Sequence, residues 1–266
     1  MKVFSLASGS KGNAYCVESQ GALLLIDCGL SCRELIHRLG SAGYDAESIA
    51  AVVFTHDHSD HIAGVESFHR RYPMVELNAT MITAEAIAQR SGLTIEDFYT
   101  FEIGQEFATG PFLLESFGVP HDAADPVGYV VRADGCTYFH GTDIGTPLES
   151  IGRQLSRADV AVLESNHDQV MVCNSPRPES TKRRILGARG HLANDECAQL
   201  VRRFASQKLK HLFLAHLSQQ CNTPELAEKA ARSALAEIGR SDVALEILLQ
   251  DKPSSVFCGV MQPQIV

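Results

Sequence analysis

No stretch of this chain stays apolar for the length a membrane helix needs. The opening Met1-Lys2-Val3-Phe4-Ser5-Leu6 lacks the apolar region of a signal peptide and reads as a strand that starts at once. Export and membrane insertion are not expected, and the default location is cytoplasmic. No Cys-x-x-Cys pair occurs. Cys16, Cys28, Cys32, Cys136, Cys173, Cys197, Cys221 and Cys258 are scattered, and no second pair stands near Cys28 and Cys32 to complete a structural zinc site. The pattern favours reduced thiols over disulfides. No low-complexity tract or Pro/Gly linker divides the 266 residues. One domain over 1–266, built from two packed halves, is expected. Basic charge is also short, with 23 Lys and Arg against 32 Asp and Glu for a net charge of -9. That argues against a nucleic-acid coat protein. It leaves room for a nuclease, because bound metal and a local basic patch supply attraction of their own.

Apolar runs and turn residues place strands at 3–7, 15–18, 23–27 and 49–54. Further strands are expected near 112–117, 129–132, 137–140, 159–164, 211–215, 244–248 and 255–259. Helices are expected at 31–39, with Ser31 as N-cap, and at 62–71, 84–89, 182–186 and 195–206. Another is expected at 224–237, with Thr223 as N-cap and Pro224 at the first position. Two stretches share one pattern: several strands, then a strand, a candidate ligand and a helix.

The densest chemistry is Thr55-His56-Asp57-His58-Ser59-Asp60-His61, set between a buried strand and a helix. Histidine and aspartate are ligands for zinc-type divalent ions, and packing does not explain so tight a cluster. Metal-dependent hydrolysis is the expectation. Three more residues close apolar strands: His121 in Gly118-Val119-Pro120-His121-Asp122, Asp143 in Gly141-Thr142-Asp143-Ile144-Gly145, and His216 in Leu214-Ala215-His216-Leu217. Each is weak alone.

In this order the set His56-x-His58-x-Asp60-His61, His121, Asp143 and His216 resembles the metallo-β-lactamase fold superfamily over almost the full length. The resemblance implies an α/β fold, an αββα sandwich with a two-metal site along one edge. It implies that His56, His58 and His121 hold one ion, that Asp60, His61 and His216 hold the other, and that Asp143 bridges them. Asp27 matches an early aspartate that supports the site from behind. Two divalent ions, zinc or manganese, against the carboxylates of Asp60 and Asp143 leave a positive centre. Such a centre suits an anionic substrate and a shared hydroxide nucleophile. The intact Asp143 disfavours antibiotic hydrolysis, and the intact His58 disfavours iron redox chemistry.

Ser8-Gly9-Ser10-Lys11-Gly12-Asn13 resembles the S-G-S-x-G-N turn of YycJ/WalJ-like proteins and PhnP-like cyclic phosphodiesterases. Ser8, Ser10 and Asn13 are therefore candidate substrate-binding residues, or members of a simple connecting turn. Gly190-His191-Leu192-Ala193-Asn194 resembles the G-H-L-S-N segment of the same branch, with Ala193 in place of serine. His191 is a candidate to contact the scissile phosphate and protonate the leaving oxygen, or else a helix-capping histidine. Asp60 and His191 are the candidate catalytic residues. His167 and Asp168, in an N-H-D run, either orient ligands or serve structure, and His140 reads as structural. Arg177, Lys182, Arg183, Arg184 and Arg189 oppose the single acid Glu179. They form a phosphate-backbone contact or a solvated helix face.

The resulting expectation is a metal-dependent DNA exonuclease acting from 5′ ends. The alternative is a small-molecule cyclic phosphodiesterase of PhnP-like type. A glyoxalase II-type thiolester hydrolase is disfavoured because no helical substrate domain follows His216. A β-CASP nuclease is disfavoured because the interval between Asp143 and His216 is too short for its inserted domain. A non-catalytic binding domain is disfavoured because every expected ligand is present.

Overall fold

Alternating side chains along short apolar strands build two sheets, each buried on both faces. The computed structural model describes residues 1–259. In Ala22–Ile26, Leu23 and Leu25 pack outward under helices, while Leu24 and Ile26 point to the other sheet. In Val160–Glu164, Val162 faces inward and Ala161 and Leu163 face outward. Such double burial is why these strands read as unbroken hydrophobic runs.

The first sheet comprises β1 (Lys2–Ala7), β2 (Ala14–Ser19), β3 (Ala22–Ile26), β4 (Ile49–Val53), β5 (Glu76–Thr80) and β6 (Phe98–Phe101) in sequential order. The second comprises β7 (Glu106–Thr109), β8 (Phe112–Gly118), β9 (Val127–Ala133), β10 (Cys136–Gly141), β11 (Val160–Glu164), β12 (His211–Ala215) and β13 (Ala244–Ile247). The short β14 (Phe257–Cys258) returns to pair antiparallel with β1. Each sheet starts antiparallel and turns parallel, at β3–β4 in the first and β10–β11 in the second. Helices Cys32–Ser41, Val65–Arg71 and Met81–Arg90 cover the outer face of the first sheet. Helices Glu149–Leu155, Asn194–Phe204 and Pro224–Glu237 cover the second. The layers run helix, sheet, sheet, helix, the expected αββα sandwich. No helix among the described residues is long and apolar enough to cross a membrane, and all eight cysteines are free.

The expected caps form: Ser31 accepts from the Glu34 N–H and Thr223 from the Leu226 N–H. The expected helix at 62–71 is broken into Ser59–Ile62 and Val65–Arg71. The break falls at Gly64, whose N–H donates to Cys28 O and whose Cβ, if present, would lie 1.9 Å from Leu30 O. Strands β5, β6 and β7 and helices Glu149–Leu155 and Gln169–Asn174 carried no expectation. β6 and β7 are sheet edges, where exposed positions interrupt the apolar pattern.

Gly29 fixes how closely the loop after β3 approaches the histidine cluster. Its Cβ would lie 1.8 Å from Asp60 O and 2.6 Å from Asn13 N. Gly29→Ala is expected to cost about 3 kcal/mol, the upper range of overpacking, read as a lowered thermal midpoint. An unchanged midpoint would show that this approach is not required.

Candidate metal centre

Six strands deliver polar side chains at their carboxyl ends, where α/β folds place their sites. Asp27 follows β3, His56 follows β4, His121 follows β8, Asp143 follows β10, and His216 follows β12; Glu164 closes β11. Asp27, Asp143 and His216 take left-handed backbone, with φ of 63°, 57° and 58°. Non-glycine residues rarely hold this conformation, and it concentrates where function constrains the chain.

Two trios of donors face one another. His56, His58 and His121 bring ligand atoms within 4.8 Å of each other, as do Asp60, His61 and His216. Asp143 lies between them. Its Oδ2 is 3.3 Å from His61 Nε2, and its Oδ1 is 3.6 Å from His121 Nε2 and 3.4 Å from His216 Nδ1. All seven residues expected as ligands thus meet in one cluster.

The imidazoles are aimed from behind. His61 Nδ1 donates to Asp27 Oδ2 at 2.7 Å, His121 Nδ1 to Gly190 O at 2.9 Å, and His216 Nδ1 to Glu164 Oε1 at 3.0 Å. The Thr55 hydroxyl donates to Asp27 Oδ2 at 2.8 Å and accepts from His56 Nδ1 at 3.0 Å. In each case Nδ1 is held from behind and Nε2 is left facing the cluster, the usual preparation of a metal-binding histidine. His58 is turned the other way, its Nδ1 facing His121 Nε2 at 3.3 Å. His56 Nε2, His216 Nε2 and Asp143 Oδ2 are buried without a hydrogen-bond partner. Buried polar atoms without partners are expensive, and convergent ones fit a bound cation.

Charge points the same way. Burial pushes His56 well below its ordinary range, and His61 beside it acts in the same sense. Burial also opposes charge on His61, but Asp27, Asp60 and Asp143 outweigh it and hold the imidazole well above its usual value. Asp143, Asp60 and Glu164 do the same to His216. The protein alone balances its buried carboxylates with protons on imidazoles, and divalent cations would displace those protons. The donor set of imidazoles and carboxylates fits such ions.

Residues 23–216 match the Beta-lactamase superfamily domain. The chain is 34% identical over 235 residues to the exodeoxyribonuclease WalJ of Streptococcus pneumoniae, covering 87% of each chain. This chain belongs to the beta-lactamase superfamily and, within it, to the WalJ/YycJ family. It is likewise 34% identical to the exodeoxyribonuclease YycJ of Bacillus anthracis, over 88% of this chain and 89% of that one. In fold it is similar to the metallo-beta-lactamase fold protein YhfI of Bacillus subtilis, with a TM-score of 0.68 at 19% identity over 97% and 99% of the two chains.

In this member of the WalJ/YycJ family the Ser8–Asn13 turn lies largely beneath the cluster. Ser8 and Asn13 are buried. Ser8 Oγ accepts the His216 N–H at 2.8 Å and shares a hydrogen bond with Tyr15 Oη. The Asn13 amide reaches Asp60 Oδ2 at 3.3 Å and His61 Nε2 at 3.1 Å. Both thus support residues of the cluster, Ser8 through the His216 backbone and Asn13 through the Asp60 and His61 side chains. Ser10 alone of the three is exposed.

His191 reaches the centre, its Nδ1 2.9 Å from Glu164 Oε1 and 3.4 Å from Asp143 Oδ1. With His58 and Asp60 it keeps part of its surface open, while the rest of the cluster is buried. Asn166 supports His216 through its backbone O at 2.7 Å. His167 is buried, its backbone paired with Ala193, and Asp168 caps the helix Gln169–Asn174. Burial drives the His140 imidazole down to about 3, and its Nδ1 bonds Tyr138 Oη inside the sandwich, the structural role expected. Of the basic segment, Arg184 pairs with Asp122 and Arg189 Nε donates to His121 O at 2.9 Å, which places this segment beside the first trio.

Two residues had no assignment from sequence. Glu164, fully buried, holds His191 and His216 with one oxygen and accepts from the Ile144 and Leu192 N–H groups with the other. Its one signal was a carboxylate closing an otherwise apolar strand. Asp57 takes the Ala124 N–H at 2.9 Å and Arg90 at 2.8 Å, fastening the His121 loop to the histidine cluster.

Proposed function

We propose that this chain is a metal-dependent phosphodiester hydrolase, an exodeoxyribonuclease that shortens DNA from 5′ ends. The observation carrying this reading is the pair of donor trios meeting at Asp143, with His191 facing the same centre from the open side. His56, His58 and His121 would hold one divalent ion, Asp60, His61 and His216 a second, and Asp143 would bridge them. When bound, the ions supply Lewis-acid charge for the phosphate and a water acidified enough to attack near neutral pH.

The remaining work falls to the chain. Asp27, Thr55, Glu164 and the Gly190 carbonyl fix the tautomer and direction of the ligating imidazoles. His191 protonates the leaving oxygen through Nε2, while Glu164 orients the ring through its hydrogen bond at Nδ1. Arg183, exposed on the helix Glu179–Ile185, and the neighbouring Arg177 offer guanidinium groups to the strand beside the first trio. Zinc and manganese both suit the donors, and the DNA preference is supported by the names of the 34%-identical relatives.

The test is a panel of 5′-phosphorylated duplex DNA, single strands, RNA and cyclic nucleotides with manganese or zinc. Stepwise shortening of the DNA, absent in Asp60→Ala, is expected. Cleavage of cyclic nucleotides with DNA untouched would replace the nuclease reading by a small-molecule phosphodiesterase. No cleavage of any substrate under any divalent ion would reject both.

A further inference from the structure

Beside His216 lies an open cleft of about 550 Å³, inside the roughly 300–1,000 Å³ range of small-molecule sites. It forms where the loop after β12 meets the loop after β13. Leu217 and Ser218, which line it, follow His216 directly in the chain. Ser8 lines it too, and its hydroxyl accepts the His216 N–H. The cavity therefore adjoins the trio of Asp60, His61 and His216, whereas the basic segment adjoins His121. A strand lying across the centre would have charge for its backbone at one end and this cavity at the other.

The lining differs from that of the metal centre. Leu217 and Leu249 present apolar faces, and Leu249 is 37% exposed. Ser218 and the exposed Gln219 present a hydroxyl and a carboxamide. Asp251 and Lys252 add one charge of each sign, so the cavity has no net pull on a second phosphate. Apolar side chains with a few hydrogen-bonding groups suit an uncharged heterocycle and its sugar.

We propose that this cavity seats one nucleoside of the substrate strand, the one joined to the phosphate being cut. The inference rests on the phosphodiester reading above and deepens it. A seat for a single nucleoside next to the cut favours release of mononucleotides.

Two measurements decide it. The first follows manganese-dependent hydrolysis of bis(4-nitrophenyl) phosphate by the wild-type chain, inhibited by a deoxynucleoside 5′-monophosphate or by 2-deoxyribose 5-phosphate. The nucleotide is expected to inhibit at about tenfold lower concentration, because only it has a base to bury. Equal inhibition overturns the proposal. The second uses Leu249→Trp, which narrows the cavity. The inhibitor preference is expected to collapse, and the ratio of kcat/KM on DNA to that on bis(4-nitrophenyl) phosphate to fall about tenfold. An unchanged ratio, or an equal fall on both substrates, overturns it. If the wild type hydrolyses neither DNA nor the chromogenic ester, the phosphodiester reading has failed instead. Calorimetric titration with the nucleotide then decides the cavity: saturable binding lost in Leu249→Trp supports it, and no binding overturns it.

Discussion

Asp143→Ala is expected to lower kcat/KM on DNA by about a thousandfold to ten-thousandfold, the scale of losing one member of a catalytic unit. Its metal content by plasma mass spectrometry is expected to fall well below that of the wild type. The cause is position. Asp143 approaches His61 and His121, one from each trio, and its Oδ2 has no hydrogen-bond partner in the protein. Removing it leaves converging imidazoles with no carboxylate between them, so bound cations lose a shared counter-charge. Asp143 sits on left-handed backbone with φ of 57°, which alanine holds less readily than aspartate, so a modest fall in stability is expected as well. A variant that keeps full metal and loses only activity would show that Asp143 is not shared by two ions. A variant that unfolds would show that the residue is structural.

His191→Ala is expected to act differently. It is predicted to lower kcat on DNA by about a hundredfold to ten-thousandfold, the usual contribution of a general acid, while metal content stays at the wild-type level. The decisive readout is the leaving group. A DNA 3′ or 5′ oxygen needs a proton as it departs, whereas 4-nitrophenolate does not. The loss on bis(4-nitrophenyl) phosphate is therefore predicted to be far smaller than the loss on DNA. Equal losses would assign His191 to phosphate binding rather than proton donation. Glu164→Gln is the companion variant. It keeps the shape but weakens the hydrogen bond that orients the His191 ring, so it is expected to reproduce part of the His191→Ala defect. Because Glu164 also holds His216 at 3.0 Å, some loss of metal is expected as well.

The donor cluster was legible because its members obey local rules. His56, His58, Asp60 and His61 crowd one strand-to-helix junction, and His121, Asp143 and His216 each follow an apolar run. The layered fold was legible for the same reason, since buried parallel strands are apolar throughout. Glu164 was not legible. It is 27 residues from His191 and 52 from His216, and no spacing announces that pairing. The side of the site to which Ser8 and Asn13 turn was not legible either. A polar turn gives no sign in sequence that its hydroxyl bonds the His216 N–H and its amide reaches Asp60. Edge strands β6 and β7 escaped because solvent-facing residues erase the hydrophobic signal. The cavity beside His216 depends on two loops far apart in sequence, and nothing local marks it.

The hydrogen bond between Ser8 Oγ and the His216 N–H joins residues 208 positions apart. Ser8 leaves the ribosome early and His216 late, and neither trio is complete until the second sheet has docked on the first. While it is being made, a chain of this design is harmless to nucleic acid around it. Each trio draws residues from both sheets, and a product that stops short of β12 lacks His216 and with it the second trio.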